Sequence, residues 1–315
     1  VYKRNRSNFM NEMKGNSLAV FNSNDIYPVS ADSELPFEQH RDIFHLSGID
    51  QEETILLLYP PSKDDKTREI LFIRKSDNHT KVWEGEKLSK KQANELSGID
   101  NIYYIEDFKA VLSSIATKVD TFYINKNEHY RANSPVETRE DRFISWLLKK
   151  YPAHNVAKSN PILQRQRSIK HPHEIDQIKR ACKITRKGFN RVLKFIKPDI
   201  WEYEIEAEFI HEFINNSSKG FAYSPIIASG NDNNVLHYIK NNKQCKSGEL
   251  ILMDVGAEYG NYSSDMTRTV PVSGKFSKRQ KEIYNAVLRV KNEATKLLTV
   301  GNNWKLFHEQ VGEIM

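Results

Sequence analysis

Short apolar runs alternate with amphipathic stretches through the first half of the chain. Ser17 to Phe21 (SLAVF), Thr54 to Leu58 (TILLL), Glu69 to Ile73 (EILFI) and Thr121 to Ile124 (TFYI) are short and rich in aliphatic and aromatic side chains, which predicts strands. Phe108 to Ile115 and Asp141 to Leu148 repeat apolar positions at helical spacing. Strands alternating with helices predict an α/β domain over residues 1–155. No Gly-rich phosphate loop follows any of these strands, so a nucleotide-binding fold is not supported. The stretch Ala153 to Lys170 is polar, lacks periodicity and contains Pro161, which predicts a linker, placed at 156–171. Pro172 then starts a helix with Glu174 in its first turn and Ile175, Ile178, Ala181, Cys182 and Ile184 on one face. A second helix is expected from about Trp201 to Ile214. A third is expected from Ser277 to Leu298, with Ser277 as N-cap and Gly301 beyond its end. Several strands lie between these last two helices.

Composition narrows the class. A chain of 315 residues suits two domains, and 38% hydrophobic with 28% charged residues describes a globular protein. The longest apolar run, Ile55 to Tyr59, is far too short to span a bilayer, so no membrane partner is expected. No basic-then-apolar leader opens the sequence, although its first residue is Val1 and preceding residues are not excluded. Cys182 and Cys245 show no metal-type spacing and need no disulfide, so a reducing cytoplasm is the expected compartment. The net charge of +6 invites a nucleic-acid reading, but both signs are interspersed, and the densest basic stretch, Lys87 to Lys91, reads as a solvated face. No nucleic-acid partner is expected.

The chemistry concentrates in one predicted hairpin. Leu250-Ile-Leu-Met-Asp254-Val-Gly-Ala-Glu258 reads as a strand with apolar residues on both faces, hence largely buried, and Asn261 to Val270 reads as its partner. A two-residue turn at Tyr259 and Gly260 would pair Glu258 with Asn261 and set Asp254 directly opposite Asp265, with Cβ atoms about 5 Å apart. Like charges so placed repel. A retained proton, an intervening basic side chain or bridging divalent cations would each relieve them, and hard oxygen ligands suit metal ions held as a pair roughly 3.5–4 Å apart. Spacing alone leaves a second reading open, in which Asp265 is exposed and Asp254 alone is buried and hydrogen-bonded.

The neighbouring motifs resemble a known family. Ser229-Gly-Asn-Asp-Asn-Asn-Val-Leu-His237-Tyr238, Gly248-Glu-Leu-Ile-Leu-Met-Asp254-Val-Gly and Ser264-Asp265-Met-Thr-Arg-Thr269 resemble the aminopeptidase P branch of the pita-bread metallopeptidases, family M24. Ile169-Lys170-x-Pro172-x-Glu174-Ile175 and Phe276-Ser277-x-x-Gln280 resemble the flanks of that catalytic domain. Asp42-x-x-His-Leu-Ser-Gly48 and Trp83-Glu-Gly85 resemble the creatinase/aminopeptidase P-type α/β domain that precedes it.

The resemblance implies an α/β (α+β) chain whose catalytic part occupies 172–315. It implies five metal ligands (two Asp, one His and two Glu) around two Mn²⁺ ions, with Asp254 and Asp265 as the two Asp. His237 would contact substrate and stabilise the tetrahedral intermediate, with Tyr238 also at the substrate site. Proline-containing peptides would be the substrates, and a water bridging two metals would attack the bond ahead of proline. A homodimer or homotetramer is implied, with Trp83 either reaching a neighbouring copy's active site as a substrate-binding residue or packing on its own domain. The family's remaining His and Glu ligands lie downstream of the hairpin and have no match before Met315, and His308 stands in the wrong context. The catalytic domain is therefore expected to be incomplete, and inactive on its own. Prolidase shares the catalytic fold and is the nearest alternative. A non-catalytic pita-bread binding module is another, disfavoured by the retained Asp254 and Asp265.

Overall fold

A computed structural model describes residues 1–129 and 135–315, and the chain divides into two compact units, Val1–His171 and Pro172–Met315. In the first unit the strands are β1 (Ser17–Asn22), β2 (Pro28–Ser30), β3 (Ser33–Glu34), β4 (Ile55–Leu58), β5 (Glu69–Ile73), β6 (Asn101–Tyr104), β7 (Thr121–Ile124) and β8 (Asn155–Lys158). β2 and β3 pair with each other; the rest form a six-stranded sheet in the order β6-β5-β4-β1-β7-β8. β1 runs antiparallel to β4 and parallel to β7. Successive residues enter opposite cores. Leu18, Val20, Leu57 and Phe72 pack with Phe108, Leu112 and Leu147, whereas Ala19, Phe21, Leu56 and Leu71 pack with Phe9, Ile43 and Leu46. Burial on both faces is why these strands read as unbroken apolar runs.

The segment expected to be a linker is part of this unit. Residues 155–158 form β8, parallel to β7, and Asn160–Ser168 is a helix whose Ile162 and Leu163 enter the core. An edge strand with little buried surface and a helix burying one apolar pair leave almost no periodic signal in the sequence. Arg167 of that helix reaches the buried Asp42 (Nη1 to Oδ1, 2.7 Å), which also accepts from Asn125 Nδ2 at 3.0 Å.

The second unit opens with the helices Pro172–Phe195 and Glu202–Asn215. They meet at Gly188, where a Cβ would lie 2.8 Å from the rings of both Phe209 and Phe213. The buried stripe of the first helix is Ala181, Ile184, Thr185, Gly188, Phe189 and Val192. Ile175 and Cys182, expected on that stripe, are exposed, because the contact with the second helix and the sheet sets the buried side.

The strands that follow are β9 (Ile226–Ser229), β10 (Leu250–Val255), β11 (Glu258–Tyr259), β12 (Tyr262–Ser263) and β13 (Met266–Pro271). β10 lies between β9 and β13, antiparallel to both, and β11 pairs with β12. Ile251, Met253 and Val255 face the core with Phe189, Phe209 and Phe213. Leu250, Leu252 and Asp254 lie on the other, half-exposed face, so β10 is buried on one side rather than both. The helices Lys278–Leu297 and Trp304–Ile314 complete the chain, the first capped by Ser277 and Gln280 in a reciprocal box. Among the described residues no helix is long and apolar enough to cross a membrane.

Phe209 joins the helix pair to the back of β10. Phe209→Ala is expected to destabilise the second unit by about 3–5 kcal/mol, from lost transfer energy and the cavity left behind. Urea denaturation measures this, and an unchanged midpoint would contradict the packing described.

Candidate metal centre

Asp254 and Asp265 come together, but not as a directly facing pair. Gly260 and Asn261, with φ of 58° and 66°, are the central residues of the turn, and Tyr259 pairs with Tyr262. Both turn positions need the left-handed region, which glycine and asparagine tolerate and Tyr259 resists. The register is therefore shifted by two residues from the expected one. Asp254 faces Thr267 and Val255 faces Met266, so Asp265 falls just outside β13, diagonal to Asp254. An even shift keeps both carboxylates on one face of the hairpin.

Gly256 makes that diagonal possible. A Cβ at this position would sit 1.8 Å from the carbonyl oxygen of Ser264, so the two strands cross more closely than any side chain permits. The crossing is tied beneath by buried hydroxyls. Ala257 N–H donates to Thr185 Oγ1 at 2.9 Å and lies 3.0 Å from Ser264 Oγ, and the two hydroxyls are 2.7 Å apart.

The two carboxylates converge on Tyr223, which precedes β9. Its hydroxyl donates to Asp254 Oδ1 at 2.7 Å and lies 3.2 Å from Asp265 Oδ1. Burial first, then the hydrogen bond to Asp254 and the charges of both carboxylates, push the phenol well above its ordinary value, so it stays protonated. A phenolic donor is a remedy for the repulsion that the sequence reading did not contain. Tyr223 stands more than thirty residues before Asp254, in a loop whose sequence carries no periodic or motif signal, and only the fold brings it near.

The donor set fits divalent metal in part. Tyr223 engages Oδ1 of each carboxylate, leaving Oδ2 of each as a hard oxygen ligand. Asp254 is half-buried and Asp265 exposed, so the pair is accessible. Among the described residues no group of three or more His, Cys, Asp or Glu side chains has metal-holding geometry, so this pair is a fraction of a full ligand shell.

The other expected site residues fall in different settings. His237 is exposed in a turn between β9 and β10. Tyr238 is buried against Ile226, Ala228 and Leu252, the last on the same face of β10 as Asp254. Its hydroxyl donates to Glu202 Oε2 at 2.7 Å, and burial together with that carboxylate pushes it up to about 12. Trp83 ends the helix Asn78–Trp83 in the first unit, 76% exposed, with its ring 6.1 Å from that of His79. The next residue, Glu84, is gripped by two nitrogens of Arg74 at 2.6 and 2.7 Å.

Residues 176–315 match the model of metallopeptidase family M24, and residues 2–123 match that of the aminopeptidase P N-terminal domain. The chain is 30% identical over 313 residues to a Haemophilus influenzae Xaa-Pro aminopeptidase, covering 98% of this chain and 69% of that protein. It is 29% identical over 320 residues to the Escherichia coli Xaa-Pro aminopeptidase, covering 70% of that protein. A zinc-substituted structure of E. coli aminopeptidase P in complex with product superposes with a TM-score of 0.89 at 29% identity, over 100% of this chain and 71% of that one.

Gly256→Ala is expected to destabilise the second unit by about 1–3 kcal/mol or more, since backbone rather than a flexible side chain must yield. Thermal denaturation checks it, and a variant as stable as the parent would contradict the crossing at Ser264.

Proposed function

The chain belongs to the aminopeptidase P branch of metallopeptidase family M24, and on that premise we propose that Asp254 and Asp265 hold metal while His237 meets the substrate. It is a metal-dependent aminopeptidase, a hydrolase with an aminopeptidase P-type α/β domain followed by a domain of the pita-bread type. The relatives are aminopeptidases, which disfavours the prolidase alternative. The family acts on peptides and uses divalent metal.

The observation that carries the metal assignment is the convergence of two carboxylates on one hydroxyl, with an oxygen of each left over. Two like charges around a single donor still repel, and a cation placed between them would relieve that repulsion. When bound, divalent metal supplies Lewis acidity for the scissile carbonyl and a nucleophilic water at neutral pH. Tyr223, held protonated, fixes the rotation of both carboxylates by occupying Oδ1, so that Oδ2 of each is presented. His237 is exposed and free to hydrogen-bond the substrate or the oxyanion that develops from its carbonyl.

The substrate we propose is a peptide with proline in second position, and the product is its released first residue. The bond ahead of proline has a tertiary nitrogen without an N–H, so recognition must rest on the carbonyl, the free amino group and the shape of the ring. We propose Mn²⁺ as the metal, in keeping with an oxygen donor pair. We also propose a homodimer or homotetramer in which the exposed Trp83 contacts a neighbouring copy. The cytoplasm is the compartment we propose, supported by the two unpaired cysteines.

The full-length protein supplied with Mn²⁺ is expected to release the first residue of an Xaa-Pro-Yaa tripeptide faster than it cleaves an Xaa-Pro dipeptide. A preference for the dipeptide would turn the assignment to prolidase. Asp254→Asn or Asp265→Asn is expected to lower kcat/KM by about 100-fold or more and to weaken Mn²⁺ binding measured by calorimetry. Full activity and metal affinity in either variant would remove it from the ligand set.

A further inference from the structure

We propose that Glu202 is the positioning residue for His237, a buried anchor on which the loop carrying that histidine is closed. This rests on the reading of His237 as a group that meets substrate.

Glu202 opens the helix Glu202–Asn215 and is wholly buried. Its charge is met by four hydrogen-bond donors. Oε1 accepts from Ser229 N at 2.7 Å and from Ser229 Oγ at 2.8 Å. Oε2 accepts from Tyr238 Oη at 2.7 Å and from Lys243 N at 3.0 Å. These fill the four lone-pair sites of a carboxylate, which also sits in the first turn of a helix, where negative charge is favoured.

The sequence positions of those donors give the arrangement its consequence. Ser229 is the last residue of β9, Tyr238 directly follows His237, and Lys243 lies at the far end of the same loop. A single carboxylate thus gathers the beginning, the middle and the end of residues 229–243. Asn241 adds a second tie, accepting from Ile227 N at 3.0 Å and donating to Glu206 Oε2 at 2.8 Å, one turn along the same helix. His237 itself has little support, being exposed between Leu236, 89% exposed, and the buried Tyr238. The Tyr238 ring packs against Leu252, on the face of β10 that carries Asp254, so the bond from its hydroxyl to Glu202 holds in place the backbone from which the adjacent imidazole projects.

The site demands a carboxylate and not merely a polar group of the same size. Each oxygen accepts one backbone N–H, from Ser229 on one side and from Lys243 on the other. The hydroxyls of Ser229 and Tyr238 can rotate; the two N–H groups cannot reverse. Whichever way a glutamine turned its amide, its NH₂ would face one of them, donor against donor, leaving a buried N–H without an acceptor.

The test compares Glu202→Gln, Tyr238→Phe and His237→Ala in the full-length protein, with a Mn²⁺-dependent tripeptide assay and amide hydrogen exchange. Tyr238→Phe keeps the packed ring and removes one donor, so it carries the test if Glu202→Gln does not fold. Glu202→Gln is expected to lower kcat/KM by up to about 100-fold, and Tyr238→Phe by less. Both should divide the loss between KM and kcat as His237→Ala does, and both should speed exchange in residues 229–243 but not in β10 or β13. Added to His237→Ala, Glu202→Gln should cost nothing further, because the two act through one group. A full additional loss in that background, a different division between KM and kcat, or unchanged exchange in 229–243 would overturn the proposal and leave the role of His237 standing. Unaltered kcat/KM in His237→Ala would overturn the reading beneath it, and the proposal with it.

Discussion

The hydroxyl of Tyr223 lies 2.7 Å from Asp254 Oδ1 and 3.2 Å from Asp265 Oδ1, and its one proton serves two like charges. Much of the second unit can be understood from what it takes to keep those carboxylates together. Neither is deeply buried, which limits the repulsion, since water screens it in part. Asp254 lies on a strand whose opposite face is locked in a core, and Asp265 directly precedes β13, which is paired along that strand, so neither swings away easily by moving its backbone. Ile251, Met253 and Val255 hold β10 against the helix pair, and a rotation of the strand that separated the carboxylates would expose all three.

The hairpin supplies the remaining constraint. A directly facing pair on regular strands would place both carboxylates in the ladder. The diagonal arrangement instead leaves Asp265 at a break between β12 and β13, where the chain passes Gly256 within the space of a missing side chain. The buried hydroxyls of Thr185 and Ser264 take up Ala257 N–H at the break, so it carries no orphaned donor there. Asp265 is thus freed from the ladder while its backbone stays fixed. That combination leaves the second oxygen of Asp265 free to turn while its backbone holds still.

The elements most legible in the sequence were those whose burial follows a simple period. The apolar runs at 17–21, 54–58, 69–73 and 121–124 are close to the observed strands, because covering both faces of a sheet requires continuous hydrophobicity. The helix after Ser277 was readable from its cap. The helix Tyr2–Glu12 was not, since only Phe9 and Met10 give it an apolar face and its buried Asn5 and Arg6 look like surface residues. Arg6 is buried by its bonds to Leu46 O, Ser97 O and Glu69, partners forty to ninety residues away. The proximity of Asp254 and Asp265 was legible from spacing, and their shared face survived a wrong register because the error was even. Tyr223 and Glu202 escaped for one reason: each acts on residues more than twenty positions distant, through contacts that only the folded chain creates.

The two groups of carboxylates in this unit show how hydrogen-bond capacity separates a framework acid from one with oxygens left over. Glu202 is wholly buried, yet it receives four donors and has no lone pair to spare. Its charge is fully used in holding the loop, and it has nothing to offer an ion or a substrate. Asp254 and Asp265 lie nearer to solvent and share one donor, with an oxygen of each uncommitted. Burial alone would have ranked Glu202 as the stronger candidate for chemistry, because removing a carboxylate from water is costly. Counting donors reverses the ranking, since the cost at Glu202 is already offset and the repulsion between the aspartates is not. The same count explains why tyrosine serves both places. A phenol that stays protonated beside negative charge is a reliable donor with no competing charge of its own, which lets Tyr238 complete one shell and Tyr223 orient another without closing it.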